Sequence, residues 1–259
     1  MTKFCTFASG STGNAALLSS GDTHILIDMG ISCRRICQSL NSLGLTPEDL
    51  SAVLITHEHN DHIAGLATYI KKYKTPVITT SATARQLAYR IAAIERQVQC
   101  VEWGEVCEIG NVSVRMLESS HDCAGSCAFR IDTPHGAFGY LTDTGFIPGD
   151  TAQALLGARF LVLESNHDIE MLRSGPYPYY LKERVLGMRG HLSNDVAAMF
   201  AADSAKAGTK TIVLAHLSRE NNTPGLALNT VGRWLETAGY DGRLTAAPAD
   251  RMSEIFSLE

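Results

Sequence analysis

The segment LITHEHNDHIAG (54–65) restricts the fold of this chain more than any other, because it crowds three histidines and two acids into six positions. It begins within AVLIT, an apolar, β-branched run that is typical of a buried strand. Ligand sites in layered α/β folds gather at the carboxyl ends of such strands. The ligand-type side chains are His57, His59, Asp61 and His62. The spacing HxHxDH predicts a metal site, with a histidine-rich surface loop arising by chance as the alternative.

Strand-like and helix-like segments alternate along the 259 residues. Short β-branched runs predict strands at 24–28, 52–56, 76–80, 112–117, 160–165 and 211–216, and a hairpin over 127–142 that turns at 133–136. Amphipathic patterns predict helices at 83–98, 194–207 and about 226–238. Prolines and tyrosines in 166–190 indicate a loop and a short helix on the surface. Because no linker or repeat interrupts this alternation, we expect one layered α/β domain spanning 1–259.

Apolar residues at helical spacing indicate which faces of two helices pack on the core. These residues are Leu87, Ile91, Ile94 and Val98 in the first helix, and Val196, Met199 and Phe200 in the second. The second helix is expected to end at Gly208, since glycine tolerates the left-handed conformation that follows many helices.

Overall charge and composition exclude several classes of protein. With 45% hydrophobic and 19% charged residues, the chain is neither disordered nor fibrous. A net charge of -5 gives no whole-molecule attraction to nucleic acid, so a polyanionic partner would need a local patch or bound cations. The N-terminus lacks a signal-peptide pattern, and no apolar run is long enough to span a bilayer. We therefore expect a cytoplasmic protein with no membrane partner.

The seven cysteines suggest neither a disulfide framework nor a zinc-type CxxC pair. Those expected to be reduced, mostly buried side chains are Cys5, Cys33, Cys37, Cys100 and Cys107. Cys123 and Cys127 lie close in sequence to His121 and are also assigned to structural burial, with a role near that histidine as the alternative.

The clustered segment resembles the hallmark of the metallo-β-lactamase superfamily. Members of that superfamily complete two metal sites with a further histidine, a bridging aspartate and a last histidine, each just after a strand. The matching residues here are His121 after VSVRMLESS, Asp143 in LTDTG and His216 at the end of TIVLAH. Any one of them alone would more often be structural. All seven ligand positions are matched in order, and that completeness favours the ligand interpretation.

This resemblance implies an α/β fold of the metallo-β-lactamase type, a four-layer αββα sandwich. It also implies a ligand arrangement, with His57, His59 and His121 on one metal, Asp61, His62 and His216 on the other, and Asp143 as the bridge. Asp28, in ILIDMG, matches an acid that supports the ligands without binding metal itself. Imidazole suits zinc, and carboxylates leave room for manganese, so we expect two divalent ions, with zinc as the first choice.

Further motifs resemble the phosphodiester-cleaving members of the superfamily. SSHDCAGSCAFRID and HLSREN resemble the ribonuclease-Z-like branch, and RGHLSN, which contains His191, resembles its phosphate-contacting segment. With ASGSTGN and LVLESNHD, the set looks like the bacterial YycJ (WalJ) group of metal-dependent hydrolases, which is associated with 5′-to-3′ exonuclease activity on DNA. The resemblance covers nearly the whole chain. It implies a nucleic-acid substrate, with DNA favoured over RNA.

Dinuclear chemistry then suggests roles for the residues. Two divalent cations roughly 3.5–4 Å apart can share a hydroxide whose pKa falls toward about 7, and this hydroxide is the expected nucleophile. Asp61 would steer it or take its proton, while His191 would contact a phosphate oxygen or protonate the leaving oxygen. The alternative for His191 is a cap on the helix that begins near Asn194. His167 is open between a supporting or substrate-binding role and a structural one.

Two local features bear on phosphate binding. The loop Ser9–Asn14 is expected to be a tight turn, with a backbone phosphate cradle as the alternative. A local basic rim is suggested by three cations that precede His191 in the sequence, Lys182, Arg184 and Arg189. The alternative is that these charges only form a solvent-exposed face.

Three functions from different classes remain open at this level. A dinuclear DNA exonuclease agrees with the motifs, although the chain lacks a long basic run. A hydrolase of a small ester would use the same metals on a cyclic nucleotide or other small phosphodiester, a thioester or a lactone. A metal-binding regulatory protein without turnover would require a damaged site, and no ligand position is missing.

Overall fold

The predicted strands assemble into two sheets. Residues 1–258 are described by the structure, a computed structural model, and they form two seven-stranded sheets. The strands are β1 (Thr2–Ala8), β2 (Ala15–Ser20), β3 (Thr23–Ile27), β4 (Ala52–Leu54), β5 (Val77–Thr79), β6 (Val98–Cys100), β7 (Val106–Ile109), β8 (Val112–Glu118), β9 (Cys127–Thr133), β10 (Gly136–Leu141), β11 (Phe160–Glu164), β12 (Thr211–Ala215), β13 (Arg243–Ala246) and β14 (Phe256–Leu258). The helices are α1 (Cys33–Ser42), α2 (Asn60–Ile63), α3 (Leu66–Tyr69), α4 (Ser81–Arg90), α5 (Gly149–Leu155), α6 (Ile169–Ser174), α7 (Tyr179–Leu186), α8 (Asn194–Lys206) and α9 (Pro224–Thr237).

Each sheet joins antiparallel strands to parallel ones. The strand order is β14-β1-β2-β3-β4-β5-β6 in the first sheet and β13-β12-β11-β10-β9-β8-β7 in the second. Strands β3 to β6 run parallel in the first sheet, as do β10 to β13 in the second. Because parallel strands end on the same side, their carboxyl ends collect at one edge of each sheet, where ligand sites are expected.

Three apolar cores separate four layers. The core between the sheets contains Phe4 of β1, whose ring lies 4.9 Å from that of Phe138 in β10 and 5.3 Å from that of Phe160 in β11. A second core packs α1, α3 and α4 on the outer face of the first sheet, and a third packs α5, α8 and α9 on the outer face of the second. The predicted metallo-β-lactamase fold, an αββα sandwich, is confirmed.

The strand predictions are confirmed with small changes at their ends. The six predicted strands correspond to β3, β4, β5, β8, β11 and β12, and the predicted hairpin corresponds to β9 and β10. The segment 166–190 contains two short helices, α6 and α7, where one was expected. Within residues 1–258, no helix has the length and apolar character needed to cross a membrane.

The predicted helix over 83–98 is wrong in its second half. Helix α4 ends at Arg90, Ala93 adopts a left-handed conformation with φ of 65°, and the chain then enters β6. Val98, expected on the helix face, pairs with Val77 of β5. Pairing along the sheet therefore outweighs the local helical preference.

The predicted core face of α8 is also wrong. Val196 and Met199 are 41% and 52% exposed, although Phe200 is buried as expected. The surface that packs on the core is formed largely by small side chains such as Ala197 and Ala201. Alanine leaves room for a close approach of a neighbouring element, so the largest apolar residues of this helix do not mark its buried side.

The cysteines are unpaired thiols across the described residues 1–258. Cys5, Cys33 and Cys127 are buried. Cys100 is exposed because it lies on β6, at the edge of the first sheet, so its expected burial is wrong. Burial raises the pKa of Cys123 to about 11 and holds that of Cys127 well above its ordinary value. Both thiols near His121 are therefore protonated, as suits a structural role.

Candidate metal centre

Three strand ends at the carboxyl edges carry residues in a strained conformation. Asp28 after β3, Asp143 after β10 and His216 after β12 are left-handed, with φ of 61°, 55° and 55°. This conformation costs a non-glycine residue roughly 1–2 kcal/mol. Such strain persists where surrounding contacts enforce it, and it concentrates at functional sites. The strained ends therefore indicate a site where the edges of the two sheets meet.

Three histidines form a first donor cluster. His57 follows β4, His59 directly precedes α2, and His121 lies in the loop after β8. One nitrogen of each lies within 4.8 Å of the others, and His121 Nε2 is 3.3 Å from His59 Nδ1. Two nitrogens at ~2.0–2.1 Å from one tetrahedral zinc are about 3.3 Å apart. Burial holds the pKa of His57 well below its ordinary value and lowers that of His121, so both rings are neutral, the form that binds metal.

Asp61, His62 and His216 form a second donor cluster. Asp61 Oδ2 lies 3.5 Å from His62 Nε2 and 3.7 Å from His216 Nε2. Burial alone would lower the pKa of both histidines, but nearby carboxylates, above all Asp143, outweigh it. They hold the pKa of His62 well above its ordinary value and raise that of His216 to about 10. Metal binding at this cluster must therefore displace protons.

Asp143 lies between the two clusters. Its Oδ2 is 3.3 Å from His62 Nε2 in the second cluster, and its Oδ1 is 3.9 Å from His121 Nε2 in the first. The side chain is almost completely buried. One carboxylate thus presents an oxygen to each cluster, and all seven sequence-predicted ligands are brought together.

The donor set fits divalent cations. Three buried atoms of the predicted ligands have no hydrogen-bond partner within residues 1–258, and they are His57 Nε2, Asp143 Oδ2 and His216 Nε2. Leaving a buried polar atom unsatisfied costs about 1–3 kcal/mol. A cation at each cluster would satisfy all three atoms, and imidazole with carboxylate is a donor combination that divalent transition metals accept.

Asp28 orients His62 from the side opposite the cluster. Its Oδ2 lies 2.8 Å from His62 Nδ1, and its Oδ1 accepts hydrogen bonds from the backbone N–H and the hydroxyl of Thr56 at 2.8 and 3.0 Å. Because Nδ1 is engaged by Asp28, Nε2 is the nitrogen left for the cluster. A hydrogen-bonded carboxylate of this kind fixes the tautomer and orientation of a metal-binding histidine.

Glu164, at the end of β11, is a functional residue that sequence reasoning missed. Its Oε1 lies 2.8 Å from both His191 Nδ1 and His216 Nδ1. Its Oε2 accepts hydrogen bonds from the backbone N–H groups of Thr144 and Leu192 at 3.0 and 3.1 Å. Burial disfavours the ionised form, but the two histidines outweigh it and hold the pKa of Glu164 well below its ordinary value. The available signal was an acid at the carboxyl end of the apolar run FLVLE.

The structure places His191 beside the donor clusters. Its ring lies 4.9 Å from that of His121 and 5.2 Å from that of His216, measured between centroids. The cap of α8 is Ser193, whose hydroxyl oxygen accepts a hydrogen bond from the backbone N–H of Val196. The interpretation of His191 as the helix cap is therefore wrong.

The side chains between the clustered ligands, Glu58 and Asn60, bond to other segments of the chain. Glu58 accepts a hydrogen bond from the backbone N–H of Ala124 at 3.0 Å, and Asn60 accepts one from the guanidinium of Arg90 at 3.0 Å. Both side chains thus anchor neighbouring segments around the cluster.

The loop Ser9–Asn14 uses its own backbone N–H groups. Gly13 donates to the carbonyl of Gly10, Gly10 donates to the side chain of Asn14, and Asn14 donates to the carbonyl of Asp61. These bonds favour the tight-turn interpretation over a phosphate cradle, since these three N–H groups are already engaged. The loop braces the second donor cluster through its contact with Asp61.

His167 lies outside the donor clusters. It is buried, and neither ring nitrogen has a hydrogen-bond partner within the described residues. Burial lowers its pKa to about 4, so the ring is neutral near pH 7. Its backbone carbonyl accepts the N–H of Asn194, which ties this loop to the start of α8.

Two cavities open beside the donor clusters, and His121 contributes to both. The first, of about 160 Å³, is also lined by His191 and Arg184. The second, of about 220 Å³, is also lined by Trp103 and Arg189. Both recesses therefore adjoin the first donor cluster at His121.

Comparison with known proteins agrees with this architecture. A family model described as the β-lactamase superfamily domain matches residues 23–217. The chain is 36% identical over 238 residues to exodeoxyribonuclease YycJ of Bacillus anthracis, covering 92% of this chain and 90% of that protein. It is 35% identical over 239 residues to exodeoxyribonuclease WalJ of Streptococcus pneumoniae serotype 2, covering 91% and 89%. The metallo-β-lactamase fold protein YhfI of Bacillus subtilis superposes with a TM-score of 0.73 at 17% identity over 98% of both chains.

The chain belongs to the β-lactamase superfamily and is a metal-dependent hydrolase with the metallo-β-lactamase fold. Within that superfamily it groups with the YycJ and WalJ proteins, as its motifs suggested.

Proposed function

We propose that this hydrolase is a dinuclear phosphodiesterase that removes nucleotides from DNA in the 5′-to-3′ direction. The observation that carries the proposal is the pair of donor clusters joined by Asp143, with His191 beside them. The names of two relatives that align over about nine tenths of the chain support a nuclease. We also propose that 1–259 is a single domain, because β14, near the end of the described chain, pairs with β1 at its start.

The two clusters and Asp143 are the proposed ligands of two divalent ions. The full set is His57, His59, Asp61, His62, His121, Asp143 and His216. Zinc is the first choice because five of the seven donors are imidazoles, and manganese is the second because the carboxylates suit it. Bound ions would acidify a water molecule and neutralise charge on the phosphate under attack.

Asp61 and His191 are the proposed acid–base groups. Burial opposes ionisation of Asp61, but the nearby rings of His216 and His62 outweigh it and hold its pKa well below the ordinary value. Asp61 is therefore a carboxylate that can take a proton from the attacking water. The ring of His191 is fixed through Nδ1 by Glu164, which leaves Nε2 to donate to the leaving oxygen or to another phosphate oxygen.

Arg184 is the proposed phosphate-binding cation. It lines the cavity that contains His191, and its Nε pairs with the carboxylate of Asp122. The terminal N–H groups of the guanidinium remain for a phosphate, in the geometry that suits a bidentate contact. Lys182 and Arg189 contribute less to the expected basic rim, because each donates to backbone carbonyl groups.

A hydrolase of a small ester is the second candidate. It is favoured by the net charge of -5 and by the size of the cavity at His191, about 160 Å³. A cyclic nucleotide or another small phosphodiester would fill such a recess without any extended contact along a strand.

Labelled DNA distinguishes the two candidates. The purified protein, loaded with Zn²⁺ or Mn²⁺, should release labelled mononucleotide at once from a 5′-labelled strand and only late from a 3′-labelled one. His59→Ala and Asp143→Ala should abolish release, and Asp203→Ala, at an exposed acid on α8, should leave it unchanged. Rapid turnover of small esters with both strands intact would favour the second candidate.

A further inference from the structure

We infer that three tyrosines at α7 form a platform that stacks the unpaired bases of a single-stranded DNA end. This inference rests on the proposed nuclease function and names the form of its substrate. The platform consists of Tyr177, Tyr179 and Tyr180, three of the chain's eight tyrosines within four positions. Aromatic rings that stack successive bases are a common device of proteins that bind single strands.

The platform is exposed and adjoins the site. The side chains of Tyr179 and Tyr180 are 76% and 73% exposed, which is unusual for such large rings and leaves their faces open to a ligand. Tyr177 lines the cavity that His191 and Arg184 also line. Tyr180 precedes Arg184 by four residues on the same helix and therefore shares its face. The rings thus continue outward from the proposed phosphate-binding position.

The platform is held in a fixed position relative to the donor clusters. The backbone N–H of His191 donates to the carbonyl of Val185 at 3.0 Å, so the end of α7 is bonded directly to a site residue. Lys182 donates to the carbonyl of Arg173 at 2.6 Å, and Val185 is buried beneath the helix. A strand stacked on the platform would therefore enter the site in one register.

Local charge favours nucleic acid as the occupant. Residues 169–190 contain four basic and two acidic side chains, in a chain whose net charge is -5. This segment is therefore net positive in a net negative chain, and it lies beside the proposed metal ions. Its charge complements that of a phosphate backbone. Aromatic rings interleaved with cations offer stacking and cation–π contacts to bases, which a purely apolar partner would not use.

The shape of the site favours a single strand over a duplex. The cavity next to the platform has a volume of about 160 Å³, which is too small to accept a base pair. In a duplex only the terminal base pair presents a free face, so successive bases can stack on several tyrosine rings only when they are unpaired. An unpaired end satisfies both conditions.

The test compares a base-bearing oligonucleotide with an abasic strand of equal length and charge. The wild-type protein should show a KM about ten-fold lower for the base-bearing strand, since one stacked base contributes about that factor. Tyr179→Ala/Tyr180→Ala should raise the KM for the base-bearing strand about ten-fold without changing kcat, and should not change the KM for the abasic strand. Tyr179→Phe/Tyr180→Phe should retain the wild-type preference. The matched control is Trp234→Ala. Trp234 is a half-exposed aromatic residue that lines a separate groove with Lys206, at the C-terminal end of α8.

Each outcome bears on a different claim. If the wild-type protein cleaves both strands with the same KM, or if the double variant impairs both equally, the platform is refuted and the nuclease function stands. If the wild-type protein cleaves neither strand under any metal, the nuclease function fails and the platform fails with it. A duplex preferred over a single strand would also refute the platform.

Discussion

Replacing Glu164 by glutamine tests the support of the candidate site with a minimal change in shape. The carboxylate accepts four hydrogen bonds, two at Oε1 from His191 and His216 and two at Oε2 from the N–H groups of Thr144 and Leu192. Glutamine keeps only one oxygen. In either orientation of the amide, its NH₂ group faces two of the groups that donated to the carboxylate. Two of the four hydrogen bonds are therefore lost.

The expected magnitude follows from those contacts. Hydrogen bonds to a charged group contribute about 1.5–3 kcal/mol each, so losing two should reduce the free energy of unfolding by about 3 kcal/mol or more. The two histidines also lose the charge that fixes their orientation. Removing such support beside a metal ligand weakens metal binding by about 10–100-fold.

Urea unfolding of the metal-free protein measures the first effect, and competition with a chromophoric chelator measures the second. Glu170→Gln, at an acid whose side chain is 83% exposed, is the control and should match the wild type in both assays. If Glu164→Gln unfolds within about 0.5 kcal/mol of the wild type and binds metal equally well, the proposed role of Glu164 is refuted.

Three further changes have defined outcomes. His191→Ala should lower kcat by about 10²–10⁴-fold with the metal content intact, as measured by turnover and elemental analysis, and loss of metal would show a ligand role in its place. Asp28→Asn should weaken metal binding by about 10–100-fold in the chelator assay, whereas unchanged affinity would contradict its orienting role for His62. Because His216, with its pKa raised to about 10, must lose a proton to bind metal, affinity should increase with pH up to that value, and a flat profile would contradict this charge arrangement.

The position of the site was predictable because its residues follow recognisable strands. His57 and His216 each follow a β-branched run, Asp143 follows the second strand of the predicted hairpin, and parallel strands bring such ends to the same edge. Burial of Glu164 and its simultaneous contact with two histidines could not be predicted in the same way. Its partner His191 is 27 residues away and lies on a loop whose path depends on the packing of α7.

Helix faces and boundaries were harder to predict where packing decides between local alternatives. The apolar spacing across 83–98 agrees with one helix, yet Val98 lies in a strand, where it pairs with Val77 of β5. In α8 the alanines face the core, and the larger Val196 and Met199 face outward. Local periodicity contains no information about how closely a neighbouring helix approaches.

Metal titration of the chelator-stripped protein, followed on a 5′-labelled DNA strand, tests the central claim most directly. If the two donor clusters and Asp143 hold two ions, as proposed, mononucleotide release should be weak after the first equivalent of Zn²⁺ or Mn²⁺ and should rise to its maximum with the second. Full activity with a single bound ion would contradict the dinuclear site. DNA that stays intact at two bound ions per chain would contradict the nuclease.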